Sequence, residues 1–205
     1  MTLPQMSMCT NRCYCIIDVR TLKTKGGFRM TQVWIVRHGQ TDWNLQGKLQ
    51  GWTDIPLNAN GVREAHALGF TLQGIPIHSL YSSDLVRAYA TATILGTYLN
   101  LPVLVDTRLR EVSFGAAEGT LHIDEQLLSL HCLETDAEVL QRALDFLAFI
   151  HSQHAENRVL CVSHGRWIRT LVKFFSKNEH PVISNTSVTS LISENETWRI
   201  TNFLS

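Results

Sequence analysis

Val33-Trp34-Ile35-Val36-Arg37-His38-Gly39 has a counterpart far downstream, Val159-Leu160-Cys161-Val162-Ser163-His164-Gly165. Each stretch is a short apolar run, which is typical of a buried strand, and each ends in a histidine followed by a glycine. Glycine allows the backbone to approach a ligand closely. Open α/β sheets bind ligands outside the carboxyl ends of their strands. The two stretches therefore predict that His38 and His164 converge on one crevice.

Outward from these stretches, predicted strands alternate with predicted helices. Strands are predicted at residues 78–81 and 103–105, and helices at residues 61–72, 84–99 and 136–151. After the second histidine stretch, a further predicted helix carries Ile168, Leu171, Val172 and Phe175. Ser83 is the expected N-cap of the second helix. A hairpin is predicted from strands 188–192 and 198–203, turning at residues 194–195. This order predicts an α/β fold with three α/β/α layers, a mostly parallel central sheet and an antiparallel edge strand.

The chain of 205 residues has room for one domain. Residues 1–29 show no strand or helix periodicity, whereas a clear strand pattern begins at Met30. We expect residues 1–29 to be a poorly ordered N-terminal extension and residues 30–205 to form the domain.

Charge and cysteine content narrow the class of protein. Lysine plus arginine equals aspartate plus glutamate, 18 each, so we expect neither nucleic acid nor membrane as a partner. The five cysteines are unevenly spaced and do not form a disulfide framework. The sequence has neither a span of about 20 apolar residues nor a secretory pattern at its start. We expect a cytoplasmic protein whose partner is a small molecule, with its oligomeric state left open.

The tripeptide Arg37-His38-Gly39 could carry out phosphoryl chemistry. Neutral imidazole is a nucleophile when its other ring nitrogen donates a hydrogen bond. An adjacent guanidinium lowers the histidine pKa and can hold phosphoryl oxygens with its two-pronged donor geometry. Taken alone, the tripeptide is a weak indication.

Five further blocks occur in a fixed order: QTDWN (40–44), QGWTDIPLNANG (50–61), YSSDLVRA (81–88), LREVSFG (109–115) and SHG (163–165). Together with the tripeptide they closely resemble the histidine phosphatase superfamily, the phosphoglycerate-mutase-like proteins. The resemblance extends from about Val33 to the C-terminus, and five ordered blocks are very improbable by chance.

The resemblance implies a role for each site residue. His38 takes the phosphoryl group as phosphohistidine, and Glu111 protonates the leaving group. Four residues bind the phosphoryl oxygens: Arg37, Asn44, Arg87 and His164. His164 also counts among the catalytic residues, and beside the phosphoryl oxygens we expect it to be charged and to donate hydrogen bonds to them. The family needs no metal, and we expect no cofactor.

Four of these residues also have ordinary structural interpretations. Arg87 could be exposed and paired with Asp84, and Glu111 could be a surface carboxylate. His164 could be a core histidine with its hydrogen bonds satisfied, and Asn44 could close a turn.

Other polar and aromatic residues leave alternatives open. Trp43 and Trp52 could line the entrance or anchor loops. Residues 185–187 could lie near the pocket or simply form a polar turn. The remaining histidines examined for metal-ligand spacing show none and are expected to be solvated: His122, His131, His151, His154 and His180.

The same intermediate would serve a phosphatase or a mutase. A mutase must exclude water and bind a second phosphate, which requires additional lid structure and cations. The segment of residues 120–136 is short and contains neither lysine nor arginine, so hydrolysis is favoured over mutase activity. Ala117 stands where the family often has an aromatic residue, which puts the substrate contacts in question. A catalytically inactive binding or regulatory module with the same fold is the third possibility.

Overall fold

The computed structural model describes residues 30–121, 133–176, 182–194 and 197–204, with side chains as far as Thr201. Within these ranges six strands form one sheet in the order β3-β2-β4-β1-β5-β6. Their bounds are β1 Met30–Arg37, β2 Ser79–Ser82, β3 Val103–Val105, β4 Arg158–Ser163, β5 Val188–Glu194 and β6 Thr197–Leu204. Strands β1 to β4 are parallel to one another. Strand β5 pairs antiparallel with β1, and β6 pairs antiparallel with β5.

Helices cover both faces of the sheet. In the described ranges the α-helices are α1 Asp42–Leu45, α2 Ala59–Leu72, α3 Val86–Leu99, α4 Asp136–Gln153 and α5 Gly165–Ser176. The described part of the connection between β3 and α4 contains the short 3₁₀ helices Thr107–Leu109 and Gly115–Ala117. One buried cluster packs α4 and α5 on the sheet, and another packs α2 and α3 on the opposite face. The fold is therefore the predicted three-layer α/β/α arrangement, and the predicted hairpin, β5 and β6, forms its antiparallel edge.

Alternation of side chains along the strands explains the two clusters. In β1, Val33 and Ile35 belong to the cluster under α4 and α5, whereas Val36 belongs to the other. In β4, Cys161 and Leu160 divide in the same way. Because both faces are covered, all six residues of β4 are buried, as is usual for a central parallel strand.

The start of α3 differs from the prediction. The helix begins at Val86 rather than at residue 84, and Ser83 is not its N-cap. The Ser83 hydroxyl accepts a hydrogen bond from the Leu85 N–H in the turn before the helix. The Val86 N–H is bound by the Asp54 carboxylate, which lies 32 residues earlier in the sequence.

The buried face of α2 consists of Gly61, Ala65, Gly69 and Leu72, whereas Val62 is exposed. The proposed extension at residues 1–29 lies outside the described residues, so the domain division stays a prediction.

Candidate active site

The pairing of β1 with β4 places the two sequence histidines side by side. Arg37 is in register with Ser163, so the residues that follow them, His38 and His164, leave the sheet together. The His38 N–H donates to the Ser163 carbonyl at 3.0 Å. The two ring centroids are 5.1 Å apart, and both side chains are buried. The predicted convergence of the two histidines is confirmed.

The His38 ring is oriented as a nucleophile needs. Its Nδ1 lies 2.7 Å from the Gly39 carbonyl oxygen, which can only accept, so Nδ1 carries the proton. The lone pair is therefore on Nε2. Burial lowers the His38 pKa well below its ordinary value, and the Arg87 and Arg37 guanidiniums lower it further. The imidazole is thus neutral at physiological pH.

His164 differs from a satisfied core histidine. Both of its ring nitrogens are buried without a hydrogen-bond partner among the described residues. Burial, followed by the Arg87 charge, lowers its pKa well below the ordinary value. The protein by itself thus holds His164 neutral, and the charged state expected beside phosphoryl oxygens stays a prediction. An anion in the pocket would act in the opposite direction, because negative charge favours the imidazolium.

Arg37 is held at the end of β1 by close packing. One of its Nη atoms donates to the Ile183 carbonyl at 2.7 Å, while its Nε is buried without a partner in the described structure. A Cβ atom on Gly165 would lie only 3.2 Å from that Nε. The glycine of the second motif therefore makes room for the Arg37 guanidinium.

Arg87 is fully buried, which rules out the exposed alternative. Its Nη atoms donate to the Thr53 carbonyl at 2.9 Å and to the Gly51 carbonyl at 2.7 Å. Its Nε is buried without a partner in the part of the chain that is described. Burial lowers its pKa to about 10, so the group is still a cation at neutral pH. Asp84 pairs instead with Arg110, at 2.5 Å.

The Glu111 carboxylate is buried against the N-terminus of α5, the helix that begins at the residue after His164. One oxygen accepts from the Val112 and Trp167 N–H groups at 3.0 and 3.1 Å, and the other accepts from the Arg166 N–H at 3.2 Å. Backbone donors at a helix N-terminus suit a carboxylate. Glu111 is therefore not an ordinary surface carboxylate.

Asn44 closes a turn, which was the structural alternative considered for this residue. Its Oδ1 accepts from the Thr41 N–H at 3.1 Å in the capping box of α1. The same oxygen accepts from Asn185 Nδ2 at 3.3 Å, and that amide also donates to the His38 carbonyl at 2.9 Å. Residue 185 thus reaches the site as well as forming a turn. Contact of Asn44 with a phosphoryl group stays a prediction.

The two tryptophans anchor loops. The Trp52 Nε1–H donates to the Glu111 carbonyl at 2.7 Å, while part of its ring stays exposed. Trp43 is packed against Gly119, where a Cβ atom would lie 3.1 Å from the ring. Ala117 is fully buried in the core under α4 and α5, so the missing aromatic side chain there bears on packing rather than on a substrate.

Sequence reasoning missed Arg142, which holds the segment carrying Glu111. From α4 its guanidinium donates to the carbonyls of residues 108, 110 and 111 and to the Glu134 carboxylate. No sequence signal distinguishes it from an arginine on an exposed helix face, because its partners are backbone atoms distant along the chain.

The described residues contain no group of three or more His, Cys, Asp or Glu side chains placed to hold a metal ion. None of the helices in the described ranges has the length and apolar character needed to span a bilayer.

Similarity to known proteins was found in sequence and in structure. Residues 33–204 match the sequence model of the histidine phosphatase superfamily (branch 1). The chain is 36% identical over 183 residues to the uncharacterized phosphatase PhoE of Bacillus subtilis (strain 168), covering 85% of this chain and 94% of that protein. It is 35% identical over 159 residues to the probable phosphoglycerate mutase GpmB of Klebsiella pneumoniae, 70% of this chain and 74% of that one. The structure of mycobacterial glucosyl-3-phosphoglycerate phosphatase in complex with VO3 is similar, with a TM-score of 0.73 at 30% identity, covering 85% of this chain and 98% of that chain.

Proposed function

The chain belongs to the histidine phosphatase superfamily and is a phosphatase, and we propose that it is a metal-independent phosphomonoesterase that works through a phosphohistidine on His38. Its substrates are small phosphorylated metabolites, and the enzyme acts in the cytoplasm. Neither nucleic acid nor membrane is a partner in this proposal.

The observation that carries the proposal is a set of unpaired buried polar atoms. His164 Nδ1 and Nε2, Arg37 Nε and Arg87 Nε lack partners among the described residues. Unpaired buried polar atoms are costly, and each requires an explanation. A phosphoryl group has three oxygens that accept hydrogen bonds, and it would pair with one ring nitrogen of His164 and with the Nε–H groups of Arg37 and Arg87.

In the first step, the lone pair of His38 Nε2 attacks phosphorus and forms a P–N bond. The P–O bond to the leaving group breaks, and its electron pair goes to the leaving oxygen, which takes a proton from Glu111. The Gly39 carbonyl accepts the Nδ1 hydrogen bond throughout and stabilises the positive charge that develops on the ring.

In the second step, a water molecule attacks phosphorus. The Glu111 carboxylate left by the first step takes the water proton, the P–N bond breaks, and its electrons return to His38 Nε2. Inorganic phosphate and a neutral His38 result, which closes the cycle.

Charge on the phosphoryl oxygens in the transition state needs positive partners. Arg37 and Arg87 supply two fixed cations. The bound dianion would raise the His164 pKa and turn this ring into a third donor with positive charge.

Hydrolysis is favoured over mutase chemistry for the reason given by the sequence. Residues 120–136 contain neither lysine nor arginine to bind a second phosphate. We expect little 2-phosphoglycerate when 3-phosphoglycerate is supplied with catalytic 2,3-bisphosphoglycerate. Its rapid appearance would overturn this choice.

The experiment that tests the proposal is capture of the phosphoenzyme. Rapid quenching with a labelled phosphate ester should give a protein adduct that is stable in alkali and labile in acid, as a P–N bond is, and that maps to His38. EDTA should leave turnover unchanged. No adduct, or loss of activity in EDTA that added metal restores, would refute the mechanism. Phosphate release from a panel of phosphorylated metabolites then identifies the substrate.

A further inference from the structure

Glu118 is a carboxylate to which sequence reasoning gave no role, and four donors surround it. One oxygen accepts from the Trp52 N–H at 2.9 Å and from the Phe114 N–H at 3.2 Å. The other accepts from the Thr53 N–H at 2.8 Å and from the Thr53 hydroxyl at 2.5 Å. Three of these four donors belong to the loop of residues 50–54, so Glu118 fixes the shape of that loop.

The same loop binds Arg87. The Gly51 and Thr53 carbonyls accept from the two Nη atoms of Arg87. The Asp54 carboxylate accepts from the Val86 N–H, at the start of the helix that carries Arg87. Both the guanidinium and its helix are thus attached to residues 51–54.

The backbone at Gly51 shows how closely the loop fits Glu118. Gly51 has φ of +51°, a conformation that favours glycine, and a Cβ atom there would collide with the Glu118 carboxylate. Loop shape and carboxylate position therefore depend on each other.

We propose that Glu118 is a positioning residue for Arg87: by fixing the Gly51 and Thr53 carbonyls, it aims the unpaired edge of the guanidinium at the phosphoryl group. The proposal rests on the proposed function, because it takes Arg87 as a phosphate-binding residue. The negative charge of Glu118 also helps to keep the buried guanidinium protonated, since it raises the Arg87 pKa against the effect of burial.

Orthovanadate binding to Glu118→Gln tests the proposal. A glutamine keeps one acceptor oxygen but presents an NH₂ group to the Thr53 N–H, so the loop loses a charged bond. We expect about tenfold weaker binding, the effect of about one charge-assisted hydrogen bond. Orthovanadate has no leaving group to protonate, so its affinity does not report acid catalysis by Glu111.

Glu138→Gln is the matched control. The Glu138 carboxylate also accepts from the N–H and hydroxyl of one threonine, Thr135, both at 2.8 Å. It lies in the exposed capping box of α4 and has no hydrogen bond to the loop or to Arg87. This variant should bind orthovanadate as the parent protein does, even if its melting temperature falls.

Two more variants separate positioning from general damage. Thr53→Val removes only the hydroxyl donor and should weaken orthovanadate binding about threefold. In an Arg87→Ala background, Glu118→Gln should add less than a twofold loss, because the residue through which it acts is gone.

Unchanged orthovanadate affinity in both Glu118→Gln and Thr53→Val would overturn the inference, as would a full tenfold loss in the Arg87→Ala background. Failure of the proposed function is recognised separately. In that case the parent protein forms no phosphoenzyme, and Arg87→Ala does not change its orthovanadate affinity.

Discussion

The same parallel strands carry imidazoles and a buried arginine at both of their ends, and only one end has the character of a site. At the carboxyl ends, His38 and His164 lie near Arg37 and Arg87. At the amino ends, His78 precedes β2, Arg158 begins β4, and His154 follows α4.

The amino-end histidines have partners within the protein. His154 Nε2 lies 2.9 Å from the Tyr81 hydroxyl, and its Nδ1 lies 3.4 Å from the Ser79 hydroxyl. His78 Nδ1 accepts from the Arg158 N–H at 3.0 Å. The expectation that His154 is solvated was wrong, because it is half-buried and bonded to β2. His151 is likewise bonded to a hydroxyl, that of Ser193, at 2.9 Å.

The two ends of the strands carry similar residue types but differ in whether the polar side chains have hydrogen-bond partners. Neither ring nitrogen of His164 has a hydrogen-bond partner in the described part of the chain, whereas both ring nitrogens of His154 have one. Arg158 does leave one Nη atom unpaired, but its guanidinium stacks over the Trp34 ring, 4.9 Å from the centroid, and no second unpaired donor faces it among the described residues. Several unpaired donors in one place indicate a ligand, whereas paired ones indicate structure.

The largest expected effect separates the nucleophile from its counterpart at the other end. His38→Ala should lower kcat/KM for p-nitrophenyl phosphate by at least about a thousandfold, since no other group can form the P–N bond. His154→Ala should change it less than about twofold and cost about 1 to 2 kcal/mol of unfolding free energy. Steady-state kinetics and thermal unfolding of both variants measure this. A His38→Ala enzyme that keeps a tenth of the activity would contradict the assignment, whereas parent turnover no faster than that of His38→Ala would favour an inactive binding or regulatory module.

The two buried arginines give the next comparison. Arg87→Ala should lower kcat/KM about a hundredfold, as expected for loss of a donor that stabilises transition-state charge. Arg158→Ala should leave kcat/KM unchanged and lower only the melting temperature. Equal kinetic losses in the two variants would show that burial of a guanidinium, rather than its place at the carboxyl ends, accounts for the effect.

Glu111 sharpens the comparison within the site itself. Glu111→Gln should slow release of an alkoxide leaving group at least about tenfold more than release of p-nitrophenolate, because only the poor leaving group needs a proton. The measurement is kcat for the two ester classes at one pH. Equal losses for both would remove Glu111 from the role of acid.

The smallest expected effect is the pH dependence of stability. The pKa values of His38 and His164 are lowered by burial, so the unfolded chain takes up protons first as pH falls below about 6.5. Stability is therefore full above about 6.5 and is lost as pH falls toward the lowered folded-state values, by at most about 1.4 kcal/mol per pH unit for each group.

Melting temperatures between pH 7.5 and 5.5 measure this loss, and His164→Asn should reduce it. Saturating orthovanadate should reduce it too, because the anion favours the His164 imidazolium. A pH slope that neither change reduces would show that other groups titrate.

Much of the fold was predictable because it depends on local periodicity. The apolar runs at β1 and β4 and the helical spacing in α2 to α5 indicate the layers without knowledge of contacts. The helix start at Val86 was mispredicted because its N–H is capped by Asp54, from a loop distant in sequence. Ser83 has a residue type that often caps helices, but the contact between Asp54 and the Val86 N–H, distant in sequence, sets where the helix begins.

The site divides in the same way. The positions of His38 and His164 at the strand ends were predictable, because the pattern of an apolar run followed by His-Gly consists of adjacent residues. Arg142 and Glu118 were not, because both act on backbone atoms of other segments. The lowered pKa of the His164 ring in the protein alone was not predictable from the sequence, because it depends on how deeply the ring is buried.

The sequence by itself determined the α/β class, the two strand-end imidazoles and the family, because these depend on residue type, order and spacing. Tertiary structure alone decided which polar groups of the described residues stay unpaired, how the loop of residues 50–54 holds Arg87, and at which end of the sheet the unpaired groups gather. Hydrogen-bond satisfaction and burial are properties of distances between segments remote along the chain, and no local pattern contains those distances.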